Sequence, residues 1–110
     1  MVKRVAGATE EELEQLAALF RLLSDRTRLN LLMLLADGER NVTSLCEALK
    51  LPQPTVSHHL GLLRMHNIVG NRRHGKQIFY NLQAIPDGAS GAVMQFTVQN
   101  LAVEVKPRGR

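Results

Sequence analysis

The sequence predicts a single mainly α-helical domain that carries a β-hairpin, with about five helices and two antiparallel strands. Three observations lead there. Apolar residues recur at helical spacing in successive segments separated by caps and breakers. Between Leu51 and Leu82 the pattern changes from a helical period to strand, turn, strand. Aromatic residues make up 4% of the chain, and the apolar mass is mostly Leu, Val, Ala and Met, which favours helix-on-helix packing. At 110 residues one domain with a small core is expected, and a partner subunit would add to that core.

Met1 to Ala8 reads as a flexible arm. Thr9 and Glu12 form a capping-box pattern, with acidic residues suited to the positive end of the helix that follows. That helix carries the stripe Leu13, Leu16, Ala17, Phe20 and Leu23, and should end where Ser24 and Asp25 supply a new N-cap. The second helix, about Arg26 to Ala36, is apolar on nearly every side and belongs at the centre of the fold. Asp37 and Gly38 end it. A short third helix is expected with Thr43 as N-cap and Leu45, Ala48 and Leu49 inward. Leu51-Pro52-Gln53-Pro54 then forms a turn, because proline disfavours helix in the residue before it.

The fourth helix runs from about Pro54 to His66. At about 100° per residue, Val56, Leu60 and Leu63 share one face, His59 lies at its margin, and His58 points away. Asn67 stops it. Ile68 to Arg72 and Gln77 to Leu82 read as two strands, and Arg73-His74-Gly75-Lys76 as the turn between them. Ala84 to Gly91 is a linker. Val93, Phe96, Val98, Leu101, Ala102 and Val105 then suggest a final helix, against which their β-branched content counts. The expected division is an arm over 1–8, one domain over 9–105, and a flexible basic tail over 106–110.

Charge is unevenly spread. The net charge is +4, but residues 1–50 hold 7 basic and 8 acidic groups, whereas 51–86 hold 4 basic and none acidic. All four histidines also fall in that acid-free stretch. No apolar run approaches the roughly 20 residues that cross a bilayer, so no membrane partner is expected. The first residues lack the apolar core of a secretory signal. The single cysteine excludes an intrachain disulfide framework and fits a reducing cytoplasm.

A short helix, a tight turn, a second helix and a basic hairpin make a winged helix-turn-helix. In that arrangement the second helix presents its N-terminal residues to base edges in the major groove, and the hairpin, or wing, lies on the adjacent backbone or minor groove. Gln53 suits adenine, Thr55 a thymine methyl, and Ser57 and His58 donate or accept. Arg64, Arg72, Arg73, His74 and Lys76 complete the candidate DNA-contacting set. The basic pairs Lys3-Arg4 and Lys106–Arg108 are either further phosphate contacts or solvated tails. Arg26 and Arg28 either touch phosphate or cap a neighbouring element.

The residues LLSDRTRLNLLMLLADGE at Leu22–Glu39, QPTVSHHLGLLRMHNIV at Gln53–Val69 and RRHGKQIFYNL at Arg72–Leu82 resemble the ArsR/SmtB family of bacterial transcriptional repressors. The resemblance covers more than half the chain, in order. It implies a cytoplasmic homodimer built from the first and last helices, an inverted-repeat operator in double-stranded DNA, and release of DNA on binding an inducer. Together with the apolar faces, it assigns the dimer interface to Leu13, Leu16, Phe20, Phe96 and Leu101. In this family a Cys-x-Cys pair often binds metal at the start of the third helix. Here Asn41 and Thr43 stand at those positions, and neither is a soft ligand. A second family metal site uses Asp and His on the last helix, but residues 89–105 hold no His or Cys and Glu104 as their only acid. No metal and no other cofactor is expected; the effector is either a small molecule or a protein of unknown identity, or there is none and the protein responds only to its own concentration. Gly61 stands where the family often has a basic residue, and Pro52 where it often has a Ser or Thr cap.

Other readings are weaker. His58 and His59 diverge by about 100° on a helix and cannot chelate one ion well. His59 and His66 share a face but lie roughly 10 Å apart. Cys46 is read as a small apolar residue, with a thiol-based redox-responsive regulator as an alternative function. A winged-helix module that binds protein rather than DNA is another alternative, against which the acid-free 51–86 stretch counts. No nucleophile–base pair, paired carboxylates or phosphate-binding Gly loop has a credible spacing, so no enzyme is expected.

Overall fold

Thr9 begins the first helix in the way its sequence dictates. Its hydroxyl accepts from the Glu12 amide at 3.0 Å, and the Glu12 carboxylate accepts from the Thr9 amide at 3.0 Å. In the computed structural model, which describes Arg4, Val5 and residues 7–109, this helix, α1, spans Glu10–Leu23. Ahead of it, the strands β1 (Arg4–Val5) and β2 (Ala8–Thr9) pair antiparallel. The arm expected over 1–8 is therefore partly paired, while Met1–Lys3 and Ala6, and Arg110 of the basic tail, lie outside the described residues.

Helix α2 (Arg26–Ala36) has the predicted bounds, and Asp25 caps it by accepting from the Arg28 amide at 3.0 Å. Leu31, Leu32 and Leu35 are buried, but Leu29 and Met33 are exposed, so the helix is central on one side only. Arg28 is a cap: its Nε donates to the Leu22 carbonyl at 2.6 Å. The short strand β3 (Arg40–Asn41) follows, then α3 (Val42–Leu49). The expected Thr43 cap is corrected to Asn41, whose side chain accepts from the Ser44 amide at 2.7 Å. Lys50 closes α3 in the left-handed conformation.

Helix α4 (Gln53–Met65) starts at Pro52 without a side-chain cap, as its proline requires. Val56, Leu60 and Leu63 are fully buried, the predicted inward face. Asn67, at φ 59°, turns the chain into β4 (Val69–His74), which pairs antiparallel with β5 (Gln77–Leu82). The expected turn is shorter than four residues. His74 pairs with Gln77, so Gly75 and Lys76 alone make the bend, with Gly75 at φ 63°. Strand β3 joins the other edge of β5, giving the order β3-β5-β4.

The final helix is the main correction. Met94–Val98 and Leu101–Val105 form an antiparallel hairpin, β6 and β7, turned at Gln99 (φ 50°) and Asn100. β-Branched side chains suit a strand better than a helix, and Met94, Phe96 and Val98 pack inward at period two. Among the described residues there are thus four helices, not about five, and strands beyond the two of the wing.

Candidate nucleic-acid interface

The apolar face of α4 decides which side chains the helix can present. With Val56, Leu60 and Leu63 in the core, Gln53, Thr55, Ser57 and His58 are all exposed at its N-terminal half. Lys50, Leu51 and Pro52 join α3 to α4 in a three-residue connection, and the two helices pack on each other, as a helix-turn-helix requires. His59 turns inward instead and lies half-buried. Its Nδ1 is 3.3 Å from an Arg28 guanidinium nitrogen, and since arginine only donates, that ring nitrogen accepts. His58 and His59 meet edge to face at 5.4 Å between ring centres. Among the described residues no group of three or more His, Cys, Asp or Glu is placed to hold a metal ion.

The wing brings Arg73, His74 and Lys76 to its exposed end. Lys76 and Ile78 line a cleft of about 380 Å³ with Gln53, Asn41, Thr43 and Cys46, so the wing tip and the start of α4 border one depression. Arg64 is exposed on the last turn of α4, away from Gln53. Arg72 is engaged within the chain. Its guanidinium forms a forked salt bridge to Glu39, with Nη2 to Oε1 at 2.7 Å and Nε to Oε2 at 3.0 Å. The same group lies over the Phe79 ring, 4.9 Å from its centre. This contact holds the Glu39 carboxyl below the usual carboxylate range and raises the Arg72 guanidinium. Nothing in the local sequence announces it, because the partners are 33 residues apart.

The proposed interface residues divide. The predicted stripe of α1 splits: Phe20 is 50% and Leu13 39% exposed and Ala17 is exposed, Leu16 is half-buried against the core, and Leu23 lies in the core. Leu19 and Leu22 fill the core alongside it. Leu101 is half-buried, whereas Phe96 is enclosed in the protomer's own core. No described helix is long and apolar enough to cross a membrane.

Comparison with known proteins adds a family to this geometry. The profile described as "Bacterial regulatory protein, arsR family" matches residues 25–70. An HTH-type transcriptional regulator of Mycobacterium tuberculosis is 48% identical over 64 residues, 58% of this chain and 49% of the relative, so the match spans about half that protein's length. The biofilm growth-associated repressor of Xylella fastidiosa is 42% identical over 82 residues, 71% of this chain and 72% of that one. A solved homodimeric winged helix-turn-helix DNA-binding domain from Mycobacterium bovis superposes with a TM-score of 0.61 at 32% identity, covering 72% of this chain and 76% of that one.

Proposed function

This chain belongs to the arsR family of bacterial regulatory proteins, and from that premise we propose that it is a homodimeric, sequence-specific DNA-binding repressor. Helix α4 enters the major groove with Gln53, Thr55, Ser57 and His58 toward base edges. The wing over 71–82, which includes Arg72, lies on the adjacent backbone or minor groove with Arg73, His74 and Lys76 at its exposed end, and Arg64 adds a phosphate contact. The observation that carries this reading is the exposure of four polar residues on one half of α4 beside a basic wing tip, on a helix whose opposite face is fully buried.

Two copies meet through Leu13, Leu16 and Phe20 of α1, joined by Leu101. The Mycobacterium bovis domain, itself a homodimer, supports pairing of two copies, and the relatives named repressors support repression. Repression is by steric block of a promoter. The signal that ends it is not a metal at the family's third-helix position. Asn41 there is used as the α3 cap and Thr43 is exposed, and neither is a soft ligand.

Selection of random duplex DNA on the purified protein, followed by titration of the winner at several salt concentrations, tests the proposal. An enriched inverted repeat with half-sites about one helical turn apart is the expected result. Weak, sequence-indifferent binding would overturn it.

A further inference from the structure

Arg72 and Arg73 are neighbours in sequence but stand on opposite faces of the wing, because successive strand residues alternate. The register puts Val69, Asn71 and Arg73 across from Leu82, Tyr80 and Ile78. Val69 is buried there and Tyr80 and Leu82 pack on the core, so that face is the one turned to the helices. Gly70, Arg72 and His74 stand on the other face, across from Asn81, Phe79 and Gln77.

On this outer face a polar row runs from the end of β5 to the residue before β3 and on to β4. The Gln83 amide donates to the Asn81 carbonyl oxygen. The Asn81 amide donates to Glu39 Oε2 at 3.5 Å, and Glu39 receives the Arg72 fork. Gly70 lies beneath this row, where an added Cβ would come 2.8 Å from Gln83 Nε2 and 3.1 Å from Asn81 Oδ1, the ends of side chains. Glu39 sits immediately before β3, in the segment that links α2 to α3. The row therefore ties the wing to the segment that delivers the helix-turn-helix.

We propose that Arg72 is a positioning residue, which with Glu39 fixes the wing relative to α4, while Arg73 and Lys76 meet DNA phosphates. The assignment rests on the DNA-binding reading above. Its physical basis is charge. A phosphate replacing Glu39 on the Arg72 fork would be left beside a free carboxylate, so the paired residues present no net charge to DNA and release no counterion.

The salt dependence of binding to the selected duplex separates the roles. Arg73→Ala should reduce the slope of log affinity against log salt by about 1.8, the value of two phosphate contacts on B-DNA, one from each protomer of the dimer. Arg72→Ala should leave the slope unchanged and weaken binding by up to about 30-fold, the scale of two exposed ion pairs, one in each protomer. Arg72→Lys should behave like Arg72→Ala, since a lysine keeps the charge but not the fork. Glu39→Ala should weaken binding likewise. Circular dichroism and urea midpoints on each variant keep unfolding apart from these effects. The assignment is overturned if Arg72→Ala lowers the slope as Arg73→Ala does, if Arg72→Lys binds like the unmodified protein, or if Glu39→Ala tightens binding. Failure of the unmodified protein to bind any selected duplex would overturn the DNA-binding reading itself, and this assignment with it.

Discussion

The Glu12 carboxylate accepts a 2.9 Å hydrogen bond from the backbone amide of Asn100, 88 positions further along the chain. Glu12 is fully buried, and its other oxygen accepts from the Thr9 amide. One side chain therefore starts α1 and holds the turn of the C-terminal hairpin against it. Hydrogen bonds to a charged group are worth about 1.5–3 kcal/mol each, so Glu12→Ala should cost about 3 kcal/mol in urea denaturation. Glu12→Gln, which keeps one acceptor, should cost less. Hydrogen exchange should show the loss first in residues 94–105. Uniform loss across the chain would mean that the tether does not hold the hairpin.

Acid should act on the start of α2. The Arg28 amide, bonded to the Asp25 side chain, lowers the Asp25 pKa, with the Arg28 charge adding to the shift. A depressed folded-state value means that the stabilisation is present above the unfolded value, about 3.9 for an aspartate, and is lost as pH falls through the folded one. Asp25→Asn keeps a good N-cap but cannot titrate. Its stability should therefore vary less with pH below about 4 than that of the unmodified protein, as thermal melts across that range would show. Identical profiles would remove Asp25 from the acid response.

The helices that the sequence places well are those whose ends carry their own chemistry. Thr9 with Glu12, Asp25, and the Pro52 turn fix α1, α2 and α4 because caps act within a few residues. Asn41 is hidden as the α3 cap since Thr43, two residues on, satisfies the same rule, and strand pairing of Asn41 with Phe79 is a long-range fact. The C-terminal segment fits two periods at once. Phe96 and Val98 belong both to a helical spacing and to the alternation Met94, Phe96, Val98, and only the β-branched excess points to the hairpin. The stripe on α1 is legible as apolar, but which of its members stay outside is not: Leu19 and Leu22 fill the core and draw Leu23 in with them, leaving Leu13 and Phe20 exposed. At the candidate interface the exposed residues of α4 are legible, because burial of Val56, Leu60 and Leu63 fixes what remains outside. The Glu39–Arg72 bridge is not legible, since counting charge along the chain assigns its two ends to different segments.

Gly61 gives a test whose first arm requires no DNA. It is exposed on α4, and a Cβ added there would meet no atom within 4 Å, so packing within the chain does not require glycine. Glycine in a helix interior costs about 1 kcal/mol relative to alanine. Gly61→Ala should therefore stabilise the protein by about that amount, read as a raised urea midpoint. If glycine is there to let α4 approach the DNA backbone, the same variant should bind the selected duplex more weakly despite its greater stability. Unchanged binding would leave Gly61 with no role in the complex.

The outward face of α1 predicts how the molecule assembles. Phe20 is half exposed beside Leu13 and Leu16, and a large apolar side chain in water gains by meeting its copy across a two-fold axis. Phe20→Glu places two carboxylates against each other in such a dimer while disturbing little inside the protomer. Sedimentation equilibrium should then show a monomer with an unchanged circular dichroism spectrum. Binding to an inverted repeat should weaken by orders of magnitude, because the two half-sites would be occupied independently and the effective concentration that links them is lost. A Phe20→Glu protein that still sediments as a dimer would place the interface elsewhere. The exposed Leu29 and Met33 of α2 would then be the next surface to change.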